Sequence, residues 1–386
     1  MNSREAFLRT AGHREPDRLV LDFGATALTG IHVQTISNMR RHYGLLRNPI
    51  RIVEPYQMLG EVGWEMIDSI GIDVVGAWAR NNVFGFNNHA PFIEWKTPWG
   101  QRVMVPYQFQ TNKDSNGDLL IHTQGDLTQP ACAKMLKNGF SFENIQEHSF
   151  YKTPKNVLRS QDLEHWQIEV DKAYFSGKAV IADYGVTTPE NMDDLVKLSG
   201  NDLDMQLEKE AELSIENLQK IFASVGNKVN AVLLCKRSFT AVSSEYSDKL
   251  DGILFPYYQK LNDWIHDNTS WLTMKHSGQY TEATIERIIR AGFDILHLSE
   301  ASENTDLSKL KKNYGRDLVF WGGGLNAQST LLKGNPEEVK KQLLQRCEIL
   351  AKNGGYVFNT SGNIPANVPV ENFVAMLDAI REFNGK

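Results

Sequence analysis

The last third of this chain repeats one pattern, and that repetition constrains the fold more than any single motif does. An apolar strand runs into a short polar burst, and an amphipathic helical stretch follows. Trp271-Leu-Thr-Met274 leads into Lys275-His276-Ser277-Gly278-Gln279. Leu318-Val-Phe-Trp321 leads into Gly322-Gly323-Gly324, with Asn326 and Gln328 just beyond. Tyr356-Val-Phe358 leads into Asn359 and Asn363, and Phe293-Asp-Ile-Leu296 adds a strand that ends in His297 and Glu300. Strands alternating with helices predict a parallel sheet covered by helices. In a closed β/α barrel such bursts all open on the C-terminal face, where chemistry is done.

The alternation extends upstream. Strands are expected to begin near residues 18, 73, 179, 229, 271, 294, 317 and 355. Eight units separated by helices point to an α/β fold, a (β/α)8 TIM barrel forming a single domain over residues 1–386. Helices are expected over Ser3 to Ala11, Ile31 to Tyr43 and roughly Gln57 to Ile70. From about residue 92 to 124 the period changes to two around the turn Thr97-Pro-Trp-Gly100, which predicts an antiparallel β-hairpin insertion.

The bulk properties exclude several function classes. A net charge of −6 over 386 residues gives no general attraction to nucleic acid or anionic membrane. No apolar run reaches the length of a membrane span, and the amino terminus lacks the apolar core of a signal peptide. Three distant cysteines, Cys132, Cys235 and Cys347, argue against a disulfide framework and for a reducing compartment. The expectation is a cytoplasmic protein that binds neither nucleic acid nor membrane.

Several strings, in order, resemble the uroporphyrinogen decarboxylase superfamily, which also includes methyltransferases that move methyl groups between corrinoid proteins and thiols. They are His13-Arg-Glu-Pro-Asp-Arg18, Asp22-Phe-Gly-Ala-Thr26, Thr29-Gly-Ile-His32, Lys275-His-Ser-Gly278, Phe320-Trp-Gly-Gly-Gly324, Gly334-Asn-Pro-Glu-Glu-Val339 and Asn363-Ile-Pro-Ala-Asn-Val-Pro-Val-Glu-Asn372. The departures from the family are as informative. Its zinc methyltransferases resemble His-x-Cys-Gly after the fifth strand, and here Gly278 replaces the cysteine, so no metal site of that pattern is expected. The early loop Phe23-Gly-Ala-Thr-Ala-Leu-Thr29 lacks the arginines of the haem-pathway decarboxylase. In the related uncharacterised branch an acid and a histidine stand where this chain has Asn326 and Gly362. Both replacements cannot exchange protons near neutral pH.

The strand-end polar residues are the site candidates. His276 is the first, an imidazole at the open end of a strand where it can act as acid, base or ligand. Asp183 with Tyr184 ends the third strand and is read as catalytic, with helix capping as the competing role. Lys236 and Arg237 end the fourth and form an anion site if they face inward, or surface charge if they do not. Trp78 and Arg80 close the second strand. Gln279, Glu300, Trp321, Gly323, Asn326, Gln328, Asn359 and Asn363 complete the expected substrate-binding set, the glycine triplet because it lets a ligand approach the backbone closely. His32, His122, His165 and His297 have no metal-like spacing and read mostly as structural or exposed.

The resemblance implies an enzyme of the corrinoid-linked methyltransferase kind without the usual zinc cysteines. It would take a small anionic substrate, and its cofactor would be a corrinoid carried by a partner protein. A decarboxylase or related lyase of a small carboxylate is the alternative, and a binding or regulatory homologue with weakened turnover is another. Homodimers are expected from the superfamily.

Overall fold

Period-two alternation decides where each strand side chain goes. The computed structural model describes residues 1–45, 48–89, 91–144, 158–185, 187, 195, 197–235, 244–278 and 280–385. Its central sheet has eight parallel strands: β1 (Val20–Leu21), β2 (Val74–Ala77), β3 (Ala179–Ala182), β4 (Ala231–Cys235), β5 (Leu272–His276), β6 (Ile295–Leu298), β7 (Val319–Gly322) and β8 (Tyr356–Phe358). They follow the order β1-β8-β7-β6-β5-β4-β3-β2. The remaining seam closes through a parallel bridge between Asp22 and Val74 and a hydrogen bond from the Asp73 amide to the Leu21 carbonyl, 2.9 Å. Helices flank the sheet, and this is the expected (β/α)8 barrel.

Ile181, Leu233, Met274, Ile295, Val319 and Val357 belong to one buried cluster inside the barrel. Their strand neighbours, among them Val180, Val232, Leu296, Phe320 and Phe358, pack in the layer between strands and helices. Both ends of the interior are filled by other segments. The helix Ser3–Ala11 brings Ala6 and Phe7 into the interior cluster, with the Phe7 ring 5.8 Å from the Trp321 ring. At the opposite end the loop after β1 folds inward and contributes Ala25 and Leu28. Gly76 makes room for it, since a Cβ there would lie 1.8 Å from the Ala25 carbonyl oxygen.

The insertion is larger than the expected hairpin. Phe92–Lys96 and Arg102–Pro106 do form the antiparallel pair across Thr97–Gly100. That pair then joins Ile50–Glu54 and Leu59–Gly60 in a four-stranded sheet. A second four-stranded sheet contains Thr111–Lys113, Leu119–His122, Ala131–Met135 and Glu143–Asn144. The helix expected from Gln57 is correspondingly shorter and runs from Trp64 to Ile70 behind Gly63. Gln57 and Met58 lie in a turn instead, and Leu59–Gly60 form a short strand paired with Ile52 and Glu54. Among the described residues no helix is long and apolar enough to cross a membrane.

Candidate functional site

Register brings His276, His297 and Trp321 to one level of the barrel, because His276 pairs with His297 and His297 with Trp321 on adjacent strands. Each continues the inward-facing alternation of Met274, Ile295 and Val319. The two imidazoles meet through their Nδ1 atoms at 3.0 Å, with ring centroids 5.1 Å apart. His276 is half-buried at the end of β5, whereas His297 is fully buried. Burial, reinforced by the neighbouring His276, holds the His297 imidazole well below its ordinary range, so this ring is neutral. Its second nitrogen, Nε2, has no hydrogen-bond partner.

Beside this pair, the Trp321 indole N–H donates to Asp22 Oδ2 at 2.9 Å, and the Ala25 amide donates to Asp22 Oδ1 at 3.0 Å. Asp22 is buried, and burial pushes its carboxyl up to about 7 against the opposing pull of these donors and of Thr29. Asn359 donates its amide to the Asp22 carbonyl oxygen at 2.5 Å. Asn363 accepts from the Gly30 amide at 2.6 Å and donates to the Ala27 carbonyl at 2.8 Å. These groups pin the inward-folded loop 23–30 across the mouth of the barrel. Asn359 and Asn363, expected to meet substrate, are thus engaged in holding that loop.

Trp321, Tyr184 and Arg80 also occupy places other than those expected. Trp321 is buried between Phe7 and Asp22. Tyr184 turns outward into the helix layer, where its ring packs 4.8 Å from Trp166 and 5.6 Å from Trp271. Its phenol is pushed up by burial and has no hydrogen-bond partner, which suits core packing and not proton exchange. Asp183 keeps the inward register of Ala179 and Ile181 and is half-buried, with Oδ1 accepting from the Gly185 amide at 3.1 Å. Arg80 is locked to the helix Ser160–Phe175 by a 2.7 Å ion pair with Asp162. Trp78 lines a cavity of about 90 Å³ on the outer side of the β1–β2 seam, with Arg51, Trp64 and Lys172.

The glycine burst after β7 is a packing device. Gly323 and Gly324 donate their amides to the Thr360 and Asn359 carbonyls, at 3.4 and 2.9 Å, so neither amide is left to cradle an anion. A Cβ on Gly324 would lie 2.4 Å from the Phe358 ring. Asn326 caps the following turn, accepting from the Gln328 and Ser329 amides at 3.0 and 2.8 Å. Behind it Arg346 makes a bidentate pair with Glu303, at 2.9 and 2.6 Å, and donates to the Gly323 carbonyl at 2.9 Å. Burial raises the Glu303 carboxyl, but the Arg346 partnership and further hydrogen bonds leave it below its ordinary range. Partial burial raises Glu300 despite a hydrogen bond with Gln328. Gly362 lies against Glu300 with φ of +141°, a backbone shape that a histidine there would not adopt. Lys236, Arg237 and Gln279 lie outside the described residues.

His32, His122 and His165 are each hydrogen-bonded to backbone carbonyls, of Phe140, Gln129 and Trp78 respectively. His297 differs from them, since its partner is another imidazole. The sequence signal for it was the alternation Ile295, His297 at the end of β6. Asp22 was visible at the end of β1 within the Asp22–Thr26 string, but its burial was not. Among the described residues no three His, Cys, Asp or Glu side chains are placed to share a metal ion.

Comparison with known proteins supports the family. Residues 203–383 match the family model for uroporphyrinogen decarboxylase (URO-D). The superfamily resemblance read from the motifs is borne out. This matched region holds β4 to β8 and therefore both histidines. The uroporphyrinogen decarboxylase of Pseudoalteromonas translucida (strain TAC 125) is 26% identical over 155 residues, which is 40% of this chain and 39% of that protein. That of Coxiella burnetii (strain Dugway 5J108-111) is 26% identical over 112 residues, 29% of this chain and 28% of its own. The chain thus spans less than half the length of these curated relatives. A solved structure described as a methyltransferase from Methanosarcina mazei superposes over 99% of both chains, with a TM-score of 0.56 at 14% identity, and shows the same fold.

Proposed function

We propose that this barrel is an enzyme working at its C-terminal mouth, and that its reaction is methyl transfer of the corrinoid-linked kind. The observation that carries the reading is the His276–His297 pair at the end of β5, a half-exposed imidazole held by a buried one. His276 would meet the methyl donor or acceptor and activate it. Asp183 ends β3, two strands from β5 in the sheet, and would act beside it as general base or substrate anchor. The corrinoid, carried by a partner protein, would supply a cobalt that takes up or gives up the methyl group. The sequence has Gly278 where the zinc methyltransferases resemble a cysteine ligand, which counts against a zinc–thiolate centre of that pattern. Purified protein should move a methyl group between a methylated corrinoid protein and a small acceptor. Absence of transfer to any thiol, folate or oxygen acceptor would sink the reading.

A decarboxylase of a small carboxylate is the second reading, favoured by the names of the curated relatives. It needs a cation to seat the carboxylate, a role that falls to Lys236 and Arg237. Arg237→Ala should then weaken substrate affinity about tenfold or more, the scale of one lost charge-assisted pair. Unchanged affinity would argue against it.

A further inference from the structure

The cavity of about 90 Å³ at the β1–β2 seam has neither His276 nor His297 in its lining. Phe23, Ile67, Val75 and Ala173 give it buried apolar surface, to which Trp64 and Trp78 add two partly exposed indoles. Four charged side chains complete it, Arg51 and Lys172 against Glu61 and Glu169. His165 also lines it, but burial holds this imidazole below its ordinary range and its Nε2 donates to the Trp78 carbonyl at 2.9 Å. The ring is therefore neutral, and the lining is balanced in charge. Arg51 Nε and the Glu61 carboxylate stand 3.6 Å apart, too far for a hydrogen bond, and that nitrogen is left without one. Both side chains of this pair are more than a third exposed, at 37% and 39%, so the pair is weak and open to another partner. Glu169 and Lys172 lie three residues apart on the helix Ser160–Phe175, the spacing of neighbours on one face. Among the described residues neither has an ion-pair partner, and they do not pair with each other.

We propose that this cavity is a second binding site, and that it takes a small dipolar ligand, an α-amino acid with a short apolar side chain. The ligand's ammonium meets Glu169, and its carboxylate meets Lys172 and competes with Glu61 for Arg51. Its side chain lies against the apolar lining. A simple anion of the same size would bring its charge up to Glu169 and Glu61, and a simple cation would face Lys172 and Arg51. Like charges at such range lose what the opposite charges gain, whereas a dipolar molecule matches both. Size restricts the ligand further, since a volume of this order holds roughly six ordered waters, which suits a small amino acid and not a nucleotide. Binding here does not depend on the reaction at the mouth of the barrel.

Calorimetric titration of the full chain with L-valine at neutral pH tests this without any turnover. L-Valine should saturate one site at millimolar concentration. Isovalerate and isobutylamine are the same molecule without its ammonium and without its carboxylate. Each should bind at least about tenfold more weakly, the scale of one lost charge-assisted hydrogen bond. Glu169→Gln and Lys172→Met should each weaken L-valine about tenfold. Glu169→Gln should not weaken isovalerate, and Lys172→Met should not weaken isobutylamine, a crossed pattern that a general loss of folding cannot produce. No saturable binding of L-valine by the wild-type protein overturns the proposal. Equal binding of the three probes overturns the dipolar class. L-Valine binding that is unchanged in either variant overturns the location.

Discussion

Replacing Asp22 by asparagine separates the two consequences of burying a carboxyl at the mouth of the barrel. Folding raises this group from its ordinary 3.8 to about 7. A folded-state value above the unfolded one means that the native protein binds the proton more tightly, so stability is greatest at low pH and falls as pH rises toward 7. The full difference is worth about 4 kcal/mol at about 1.4 kcal/mol per unit, and between pH 5 and pH 8 the loss is between about 2 and 3 kcal/mol. Asparagine removes the charge but turns one acceptor oxygen into a donor. That donor must face either the Ala25 amide or the Trp321 indole N–H, both of which now donate to Asp22. The mismatch costs about 1–3 kcal/mol. Asp22→Asn should therefore be destabilising at pH 5 and close to neutral, or stabilising, at pH 8. Urea unfolding of both proteins across this range reads the effect directly. Parallel stability profiles for the two proteins would refute the argument, because they would mean that Asp22 is charged in the folded state throughout.

Other replacements give equally direct outcomes. His276→Ala should lower methyl-transfer turnover about 100-fold or more with little change in denaturation midpoint, as expected for a half-exposed group that contacts the substrate. Arg346→Met should cost about 2–4 kcal/mol in chemical denaturation, since it strands Glu303 in a largely buried place. The same variant should flatten the acid side of the stability profile. Glu303 is depressed in the folded protein, so its contribution is present above the unfolded value and is lost as pH falls through the folded one. Gly76→Ala should fail to accumulate as folded protein, or lose more than about 3 kcal/mol, because its methyl would overlap the Ala25 carbonyl.

Barrel strands were legible because their apolar runs are short and end in polar bursts. The expected starts at 73, 179, 271 and 294 each lie within a residue of the observed strands at Val74, Ala179, Leu272 and Ile295. The region before residue 64 was misread as helix because Met58 and Leu59 resemble a helical apolar spacing, while Leu59 and Gly60 pair with Glu54 and Ile52 on a strand that is itself paired with residues 103 and 104. Site residues divided along the same line. His276 could be placed from its position at a strand end, which is a local property. Asn359 and Asn363 have the right residue type and the right end of the barrel, yet their amides are consumed by backbone that only the tertiary fold brings close, while the Asn326 side chain is spent on capping its own turn. Trp321 and Asp22 form a pair across the whole chain, and no local pattern announces such a contact.

The pairing of β1 with β8 also governs how the molecule can be made. Val20 finds its partner at Val357, and the Leu19 amide is held by the Asn384 side chain at 2.8 Å. During synthesis the first strand therefore waits, with an unpaired edge and an uncovered apolar face, until almost the entire chain has left the ribosome. Pairings between such distant residues form slowly, and the waiting sheet edge is open to contact with other chains. Chaperone demand should accordingly fall on the interval before β8 emerges. A circular permutant that makes β1 directly after the helix Val370–Asn384 would place these partners side by side in sequence and shorten that wait.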